Sequence, residues 1–423
     1  MTTHADSSDH ELTSRARPPL LTRALLLRFV SMVGASVSFF LLLSAVPAHA
    51  GRGGAGLATG ALMLSTVLGE LAGPWIIARY GTRGPLMAGL FLLGAPALAL
   101  PASEAQAWTA AVCLVRGLGF ALTIVAGGAL TAALIPAERR GEGLALVGVV
   151  GGVPSLVALP LGVWLAGNVG YGAVTVAAGV AALATIPSVP GLREGAPAER
   201  GTTGGGTRAP GPRAPGAGPA ALGMIAAVRV AGLRRPAVVF ATTALAAGIL
   251  VTFLPLAVPH ASAGVATAAL LAQSAASTAA RWAAGRYGDR HGSGQLVAPG
   301  LLLSAAGMLA MAATSSPVAV LVGAVVFGAG FGVAQNATLA VMYSRVSRPS
   351  YGTVTALWNL GYDGGMGVGA AGFGLLAGHT GYAWAFALTA VLMLGALAPV
   401  VHDRQTGHGR RADGTEDPRR ADR

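Results

Sequence analysis

The sequence predicts an all-α membrane protein whose twelve transmembrane helices form two six-helix bundles, arranged as a parallel repeat. Three observations lead to this prediction: an apolar composition, twelve apolar segments of membrane-spanning length, and a half-chain repeat. Only 10% of the 423 residues are charged and 53% are apolar, whereas roughly a quarter of the residues in a soluble domain are charged. A soluble protein of this size needs far more polar surface, so the composition indicates a membrane protein.

The transmembrane segments are predicted from their length, since about 20 apolar residues in a helix cross the roughly 30 Å of bilayer hydrocarbon. Six of them precede the middle of the chain, at 24–48, 56–78, 85–103, 106–134, 143–167 and 171–191. Six more follow, at 236–259, 263–285, 295–314, 317–343, 352–378 and 381–401. They are numbered spans 1 to 12 in chain order.

The arginines support this count because they mark one side of the membrane. All 28 basic residues are arginines, and they collect in the two tails, the central segment and every second loop. The remaining loops contain one arginine, Arg52. Since positive charge collects on the cytoplasmic side, both termini are predicted to be cytoplasmic. The same distribution offers no basic, aromatic-studded face for a phosphate backbone, which argues against nucleic-acid binding.

A segment rich in proline and glycine divides the chain. Residues 194–219 contain too few large apolar side chains to bury a core, so they are predicted to belong to a flexible cytoplasmic linker. The predicted organisation is a cytoplasmic N-terminal tail, a first bundle, the linker, a second bundle and a cytoplasmic C-terminal tail, at 1–22, 23–193, 194–235, 236–402 and 403–423.

A shift of 211 residues superimposes the two halves of the sequence. It carries residues at loop and helix positions onto identical ones: Arg79 onto Arg290, Gly81 onto Gly292, Gly117 onto Gly328, Gly119 onto Gly330, Phe120 onto Phe331, Gly170 onto Gly381 and Tyr171 onto Tyr382. Agreement at so many positions under one shift is hard to produce by chance. Because each half has an even number of spans, both enter the membrane with the same orientation, as a parallel repeat about the membrane normal.

A charged motif lies between apolar spans in each half. It reads GRYGDRHG at 285–292 and ARYGTRG at 78–84. Together with RGLGF at 116–120 in span 4, and Pro160 and Gly162 in span 5, these elements resemble the motifs of the major facilitator superfamily. The resemblance extends over nearly all of the twelve spans and is to bacterial efflux permeases in particular. The residues that match the loop motif are Gly285, Asp289, Arg290 and Gly292 in the second half, and Arg79, Gly81 and Arg83 in the first.

The resemblance implies that Asp289 faces the positive end of span 5, across the interface between the halves at the cytoplasmic side. A carboxylate near unpaired helix N–H groups is stabilised by roughly 0.3–1 kcal/mol. Such a contact exists only while the inner side is shut, so it favours one of two conformations. Because Ala78 replaces the acid in the first half, the hypothesis is an asymmetric gate held mainly through Asp289. The alternative is a basic loop that only sets topology.

Five ionisable residues lie inside predicted spans, where each costs roughly 2.5–3.5 kcal/mol on insertion scales. Arg28 lies near the inner end of span 1, where its side chain is expected to reach the interface. Arg281 lies near the inner end of span 8. A role in setting the topology or in pairing at an interface explains this arginine as well as a functional role does. Glu70 lies deeper, and burial favours its neutral form, so it is a candidate proton carrier or the ion-pair partner of an arginine.

Arg116 and Asp363 lie near the middle of spans 4 and 11. The resemblance makes Arg116 part of a proton-coupling or substrate network, and the alternative is a structural arginine bonded to backbone carbonyls. Asp363 shares a helix face with Asn359 and is the preferred candidate to bind substrate or a proton, with an interhelical hydrogen bond as the alternative. Gln335 and Asn336 in span 10 are candidates to line the same cavity or to join helices.

These features predict a secondary transporter that moves a small organic solute across the bacterial cytoplasmic membrane by alternating access. Proton-coupled efflux of a drug-like compound or metabolite, by antiport, fits the charges in the spans together with the resemblance. The alternative is uptake of a small metabolite by symport or uniport, because these residues do not give the direction. A polytopic membrane enzyme or receptor is the remote alternative, since the loops lack a cluster of acids and histidines for catalysis.

The expected partners are a small-molecule substrate, protons and the lipid bilayer. The protein is expected to be a monomer with no cofactor, no metal and no catalytic residues. Its single cysteine, Cys113, lies in an apolar run and excludes an intrachain disulfide. His49, His260 and His379 are predicted to lie on separate outer loops without nearby carboxylates, which argues against a metal site.

Overall fold

The computed structural model describes residues 20–136, 139–192, 223–259 and 263–398, and the regular structure within them is helical. The helices are α1 (Arg23–Tyr80), α2 (Arg83–Ala99), α3 (Gln106–Leu134), α4 (Arg140–Asn168), α5 (Tyr171–Leu183), α6 (Met224–Arg229), α7 (Ala231–Ala257), α8 (Ala263–His291), α9 (Val297–Ala310), α10 (Pro317–Ser344), α11 (Tyr351–Thr380) and α12 (Tyr382–Gly395). Short 3-10 turns lie at Leu100–Ala102, Ile186–Ser188, Ser293–Leu296 and Arg348–Ser350.

α1 is two membrane helices joined at Gly51. Its 58 residues would extend about 87 Å as one straight helix, far more than the thickness of a bilayer. Gly51 breaks the helix with φ 67° and ψ −171°, a conformation that glycine adopts at little cost. The two limbs, 23–50 and 52–80, correspond to predicted spans 1 and 2. With α6 only six residues long, the described residues contain twelve membrane helices, six in each half.

Eight helical segments of the described residues are long and apolar enough to cross a membrane by length and composition, with the two limbs of α1 counted as one. The other three membrane helices are α8, α11 and α12. α8 and α11 have the length, at 29 and 30 residues, but they are less apolar. α12 is apolar but has only 14 residues. It is counted as a membrane helix because it is the equivalent of α5 in the half-chain repeat.

The helix boundaries follow the half-chain repeat. The 211-residue shift carries Tyr80 at the end of α1 onto His291 at the end of α8, and the first residue of α5 onto the first residue of α12. Five glycines of the described residues have positive φ, and four of them form two pairs under the same shift: Gly81 with Gly292, and Gly170 with Gly381. The predicted parallel repeat is therefore confirmed in the backbone.

Close helix packing explains two of the repeated glycines. A Cβ on Gly117 of α3 would collide with the Leu62 carbonyl oxygen of α1, and a Cβ on Gly328 of α10 would collide with the Gln273 carbonyl oxygen of α8. Leu62 and Gln273 are themselves related by the 211-residue shift. The second limb of α1 therefore packs on α3 as α8 packs on α10, with backbones in direct contact.

Equivalent helix pairs are in contact within each half. α1 packs against α3, α4 and α5, and α2 packs against α3 and α5. In the second half, α8 packs against α10, α7 against α11, and α9 against α10 and α12. The two halves meet where α1 contacts α7 and α11, and where α4 contacts α8.

The halves touch toward one face of the membrane, here called the outer face, at which the two limbs of α1 meet; the inner face is the one at which α1 begins. Thr252 of α7 donates a hydrogen bond to Thr59 of α1 at 3.1 Å. The Arg52 guanidinium lies 5.3 Å from the centre of the Tyr382 ring. These contacts join the first half to α7 and α12 of the second half.

The tightest contact between the halves is the α1–α11 seam, formed by residues 56–70 of α1 and 363–371 of α11. A Cβ on Gly56 would lie 2.6 Å from the Ala370 carbonyl oxygen, so the two backbones touch near the outer face. Small residues at such a contact let membrane helices approach closely. The seam therefore closes the outer side of the space between the halves.

Arg28 does not reach the membrane interface, and that prediction is wrong. Its side chain is buried, and Nε donates to the Gly127 carbonyl oxygen at 3.0 Å and to Thr131 Oγ1 at 3.1 Å. Nη1 donates to Ser31 Oγ at 3.0 Å. These partners satisfy the guanidinium inside the first half, so Arg28 joins α1 to α3.

The domain limits remain predictions from the sequence. α7 begins at Ala231, which is five residues before the second bundle was predicted to begin. Residues 1–19, 193–222 and 399–423 lie outside the described residues. They include most of both predicted tails and most of the predicted linker.

Replacing Gly117 by alanine tests the packing of α1 on α3. We expect Gly117→Ala to lower the free energy of unfolding by about 1–3 kcal/mol, the usual cost of overpacking, because the Leu62 backbone must move to make room. Gly128→Ala is the matched control on the same helix, since nothing lies within 4 Å of a Cβ at that position. Thermal unfolding in detergent measures the difference, and equal melting temperatures for the two variants would contradict this packing.

Candidate functional site

A cavity of about 700 Å³ lies between the two halves. It runs from Met366, near the middle of α11, to Asp289, close to the inner end of α8. Because the seam closes the outer side, this space is reached from the inner face. A cavity of this size accommodates a drug-sized molecule.

The two halves line the cavity with different chemistry. The first half contributes Phe40 and Leu43 of α1 and one face of α4, on which Ser155 is the only polar residue among those described. The second half contributes most of the polar lining: Gln273, Ser274, Ser277, Thr278, Arg281, Arg286, Asp289, Gln335, Asn336 and Tyr362. One wall of the cavity is therefore apolar and the opposite wall is polar.

The polar face of α8 was missed by sequence reasoning, which considered the loop motif at the end of this helix and Arg281 as an isolated charge. Ser274, Thr278 and Arg281 recur at the spacing of a helical turn and line the cavity together. This spacing, in an otherwise alanine-rich span, is the signal that identifies the face. Tyr362 was also missed, because nothing in the sequence of α11 separates it from its neighbours.

Arg281 faces the cavity and has no hydrogen-bond or ion-pair partner among the described residues. A Cβ on Gly332 of α10 would lie 3.0 Å from the Arg281 backbone nitrogen, so α10 packs closely on this part of α8. Tyr362 lies within electrostatic range of the guanidinium. Gln335 and Asn336 of α10 line the wall of this cavity, but Asp363, with which they were predicted to share a cavity, does not.

Glu70 and Asp363 belong to different halves and meet in the α1–α11 seam. Their carboxyl groups lie within hydrogen-bonding distance of each other. Asp363 is 5% exposed, and it is absent from the lining of the central cavity, to which Tyr362 and Met366 of the same helix contribute. Two carboxylates at this separation in an apolar interior repel strongly, so the geometry favours one proton shared between them.

This pairing differs from what the sequence predicted for either residue alone. Glu70 has no arginine partner among the described residues, and Arg281, its counterpart in the repeat, faces the cavity instead. Asp363 does form an interhelical contact, but its partner is a second acid. Asn359, one turn before Asp363 on α11, does not line the central cavity.

A second, apolar groove of about 520 Å³ follows the α1–α11 seam. Leu64, Leu114 and Val368 line it with exposed side chains. In membrane helices these exposed apolar side chains face lipid, so the groove opens toward the bilayer. Asp363 also borders the groove and is its one ionisable residue within the described part of the chain.

Arg116 lies outside the central cavity and is bonded to the main chain. It is fully buried, with Nε donating to the Leu93 carbonyl oxygen at 3.2 Å and Nη2 to the Ser38 carbonyl oxygen at 3.0 Å. Its Nη1 has no partner among the described residues. These bonds join α3 to α2 and α1 and match the structural alternative, and a role in proton coupling stays a prediction.

The loop motifs lie at the inner ends of α1 and α8. Gly81 and Gly292 follow these helices with φ of 74° and 88°. Asp289 is exposed at the mouth of the cavity and forms no hydrogen bond or ion pair with a described residue. The contact predicted with span 5 is therefore not made in this conformation, whose inner side is open. Arg79, Arg83 and Arg290 lie within two residues of these turns, and Gly285 lies inside α8 on the wall of the cavity.

His49 has a carboxylate partner, contrary to the prediction that it lies free in an outer loop. Its Nε2 lies 3.1 Å from Glu104 Oε2, and its ring stacks on Tyr171 with centres 3.7 Å apart. His260 lies outside the described residues, and His379 is in the last turn of α11. Within the described residues there is no group of three or more histidines, cysteines or acids that could hold a metal ion.

Comparison with known proteins places this geometry among membrane transporters. The family model of the Major Facilitator Superfamily matches residues 24–270 and 237–421. A bacterial homologue of the human lysosomal transporter Spinster, inward-facing and occupied, superposes with a TM-score of 0.73 at 14% identity, covering 92% of this chain and 98% of that one. No curated protein sequence matches.

Two further solved structures share the fold. The nucleoside transporter NupG superposes with a TM-score of 0.66 at 12% identity, covering 90% of this chain and 99% of that one. The human organic anion transporter MFSD10 (TETRAN) superposes with a TM-score of 0.61 at 19% identity, covering 91% and 100%. At these identities the likeness is one of fold, and it agrees with the twelve-helix repeat and the central cavity.

Asp289→Asn tests the gating hypothesis. If the carboxylate stabilises a closed inner face, its removal should increase the ratio of inner-open to inner-closed molecules by about two- to fivefold, the equivalent of 0.3–1 kcal/mol. Spin labels at the inner ends of α4 and α8 measure this ratio as a distance distribution. Asp289→Glu keeps the charge and is the control. Unchanged distances and unchanged transport in Asp289→Asn would contradict the hypothesis.

Proposed function

The chain belongs to the Major Facilitator Superfamily, and we propose that it exports a small organic solute in exchange for protons. As a member of this family it is a polytopic membrane transporter and not an enzyme. The proposed solute site is the central cavity between the two six-helix halves. The proposed proton site is the pair formed by Glu70 and Asp363.

The single observation that carries the proposal is this carboxyl pair at the interface between the halves. Acids inside a membrane are expensive, and each needs a compensating partner. Here the partner of each acid is another acid, so the contact is favourable only while it holds a proton. A pair of this kind binds and releases protons as a unit.

Proton loss from this pair would act directly on the contact between the halves. Two carboxylates facing each other in a medium of low dielectric repel by several kcal/mol, at an effective dielectric constant of about 20. With the proton in place, Glu70 and Asp363 hold the α1–α11 seam closed and the molecule open to the inner face. Without the proton the seam is destabilised, which favours the outer-open conformation.

An exchange cycle follows from this linkage. The solute enters the central cavity from the inner face, and release of the shared proton to that side permits the seam to part. The solute then leaves on the outer face, where a new proton binds the pair and restores the closed seam. In this cycle the halves move outward-open with the solute bound and the carboxyl pair deprotonated, and return with the pair protonated and the cavity empty, which is the requirement for antiport.

Flux in liposomes tests the proposal. Purified protein is reconstituted, a proton gradient is imposed, and a panel of small organic solutes is screened for movement against the proton flow. Asp363→Asn and Glu70→Gln should reduce gradient-driven accumulation to the level of protein-free liposomes, because an amide cannot exchange a proton. Both variants should still catalyse solute exchange across the membrane without a gradient.

Glu142→Gln is the matched control, because Glu142 is exposed and pairs with Arg139, the residue that precedes α4. It should retain gradient-driven flux. Accumulation by the two seam variants equal to that of the parent protein would refute the carboxyl pair as the proton site. Solute movement in the same direction as protons would indicate symport instead of export by antiport. Solute flux that is independent of the proton gradient would indicate uniport.

A further inference from the structure

We infer that the central cavity binds an amphipathic organic monoanion, with its charged group on Arg281 and its apolar body against the first half. This assignment rests on the proposed function only in taking the central cavity as the solute site. It concerns the chemical class of the solute, which neither the fold nor the carboxyl pair in the seam specifies.

The cavity contains a cation without a partner among the described residues. Arg281 lines the cavity and forms no hydrogen bond or ion pair with any residue of the described ranges. The two acids nearest the middle of the membrane, Glu70 and Asp363, pair with each other in the seam. A guanidinium left in this position attracts an anionic group that enters the cavity, and its planar fork fits a carboxylate with two parallel hydrogen bonds.

Neutral polar groups share the cavity wall with this cation. Gln335, Asn336 and Tyr362 line the same wall, and their amide N–H and hydroxyl groups are hydrogen-bond donors. The backbone contact between Gly332 and Arg281 keeps α8 and α10 at a fixed separation here. The anion therefore meets several donors from different helices, which is how a site fixes the orientation of a ligand.

The lining of the cavity has a net positive charge. Arg281 and Arg286 are its two cations and Asp289 is its one acid in the described residues, which leaves a single positive charge. Arg286 is also stacked over the Trp282 ring at 4.8 Å. Asp289 lies two helical turns from Arg281, at about 12 Å along the axis, so it does not neutralise that guanidinium. One excess charge suits a monoanion better than a polyanion.

The wall of the cavity opposite Arg281 is apolar. Phe40, Val149, Val153 and Leu156 of the first half face the cavity, and Ser155 is the polar exception among the described residues. A fully polar anion would leave this wall without a favourable partner. An aromatic or aliphatic body buries its apolar surface against the wall, which contributes about 25 cal/mol per Å².

Charged thiol reagents of equal reach test the inference without knowledge of the natural solute. Thr278 lies one turn before Arg281 on the cavity wall, and Thr278→Cys places a reactive group beside the guanidinium. The native Cys113 is buried and should not react, so the parent protein gives the background. The anionic reagent is sulfonatoethyl methanethiosulfonate, and the cationic one is trimethylammonioethyl methanethiosulfonate.

We expect the anionic reagent to modify Thr278→Cys about tenfold faster than the cationic reagent, after each rate is divided by its rate with a free thiol. Arg281→Gln in the same background should abolish this preference, and Arg281→Lys should retain part of it. Arg234→Gln removes an exposed arginine of α7 that does not line the cavity, and it should leave the preference unchanged. The neutral methyl methanethiosulfonate should react equally in all variants, which shows that each is folded with an open cavity.

Equal rates for the two charged reagents, or a preference for the cation, would overturn the inference. A preference for the anion that survives Arg281→Gln would also overturn it, because the field would then have another source. The measurement uses no proton gradient, so its failure is distinct from failure of the proposed function. If the anion preference is observed but solute flux does not depend on the proton gradient, the inferred solute class is supported and the proposed proton exchange is contradicted.

Discussion

Two carboxyl groups from opposite halves of the molecule meet inside the membrane, and in the proposed mechanism the movement of the halves depends on the proton that they share. Glu70 and Asp363 are each other's partners, and neither is neutralised by an arginine within the described residues. Their contact is stable when it is protonated and repulsive when it is not. In the proposed mechanism this difference converts a proton gradient into a change of conformation.

The rest of the fold gives this contact its effect. Glycines in α3 and α10 bring their neighbours into backbone contact, so each half is tightly packed and can move as a unit. The halves touch along the α1–α11 seam, which is where the proposed mechanism has them separate. Asp363 faces this seam while Tyr362, the preceding residue, faces the central cavity. α11 therefore lies between the proton site and the solute site and is in contact with both.

Repetition made the fold accessible from the sequence. Gly81 and Gly292 have positive φ, Gly117 and Gly328 lie where two helix backbones touch, and the members of both pairs are separated by the same 211 residues. Composition and arginine distribution supplied the remaining constraints on topology. The limits of α7 and the position of the break at Gly51 were harder to predict from the sequence. Hydropathy identifies the part of a helix inside the membrane and does not show how far the helix continues beyond it.

The candidate site was only partly accessible. Glu70 and Asp363 were chosen for their cost in a membrane, but their pairing depends on how two helices 293 residues apart are packed. Arg116 was chosen by the same rule and lies on backbone carbonyls outside the cavity. For Arg281 the sequence left a role in function and a role in topology or pairing equally open, and the structure places this residue on the wall of the cavity. The spacing of residues in the sequence predicts which of them share a helix face. Which helix, cavity or lipid that face contacts depends on tertiary packing.

Labelling with dicyclohexylcarbodiimide tests the shared proton most directly. This apolar reagent reacts with protonated carboxyl groups in apolar surroundings, and the groove beside Asp363 gives it a route from the bilayer. At neutral pH we predict a stable adduct on Glu70 or Asp363 and none on the exposed Asp289, as read by mass spectrometry of the digested protein. The absence of an adduct on both seam residues, with the reagent proven active on another membrane carboxyl, would contradict the shared proton.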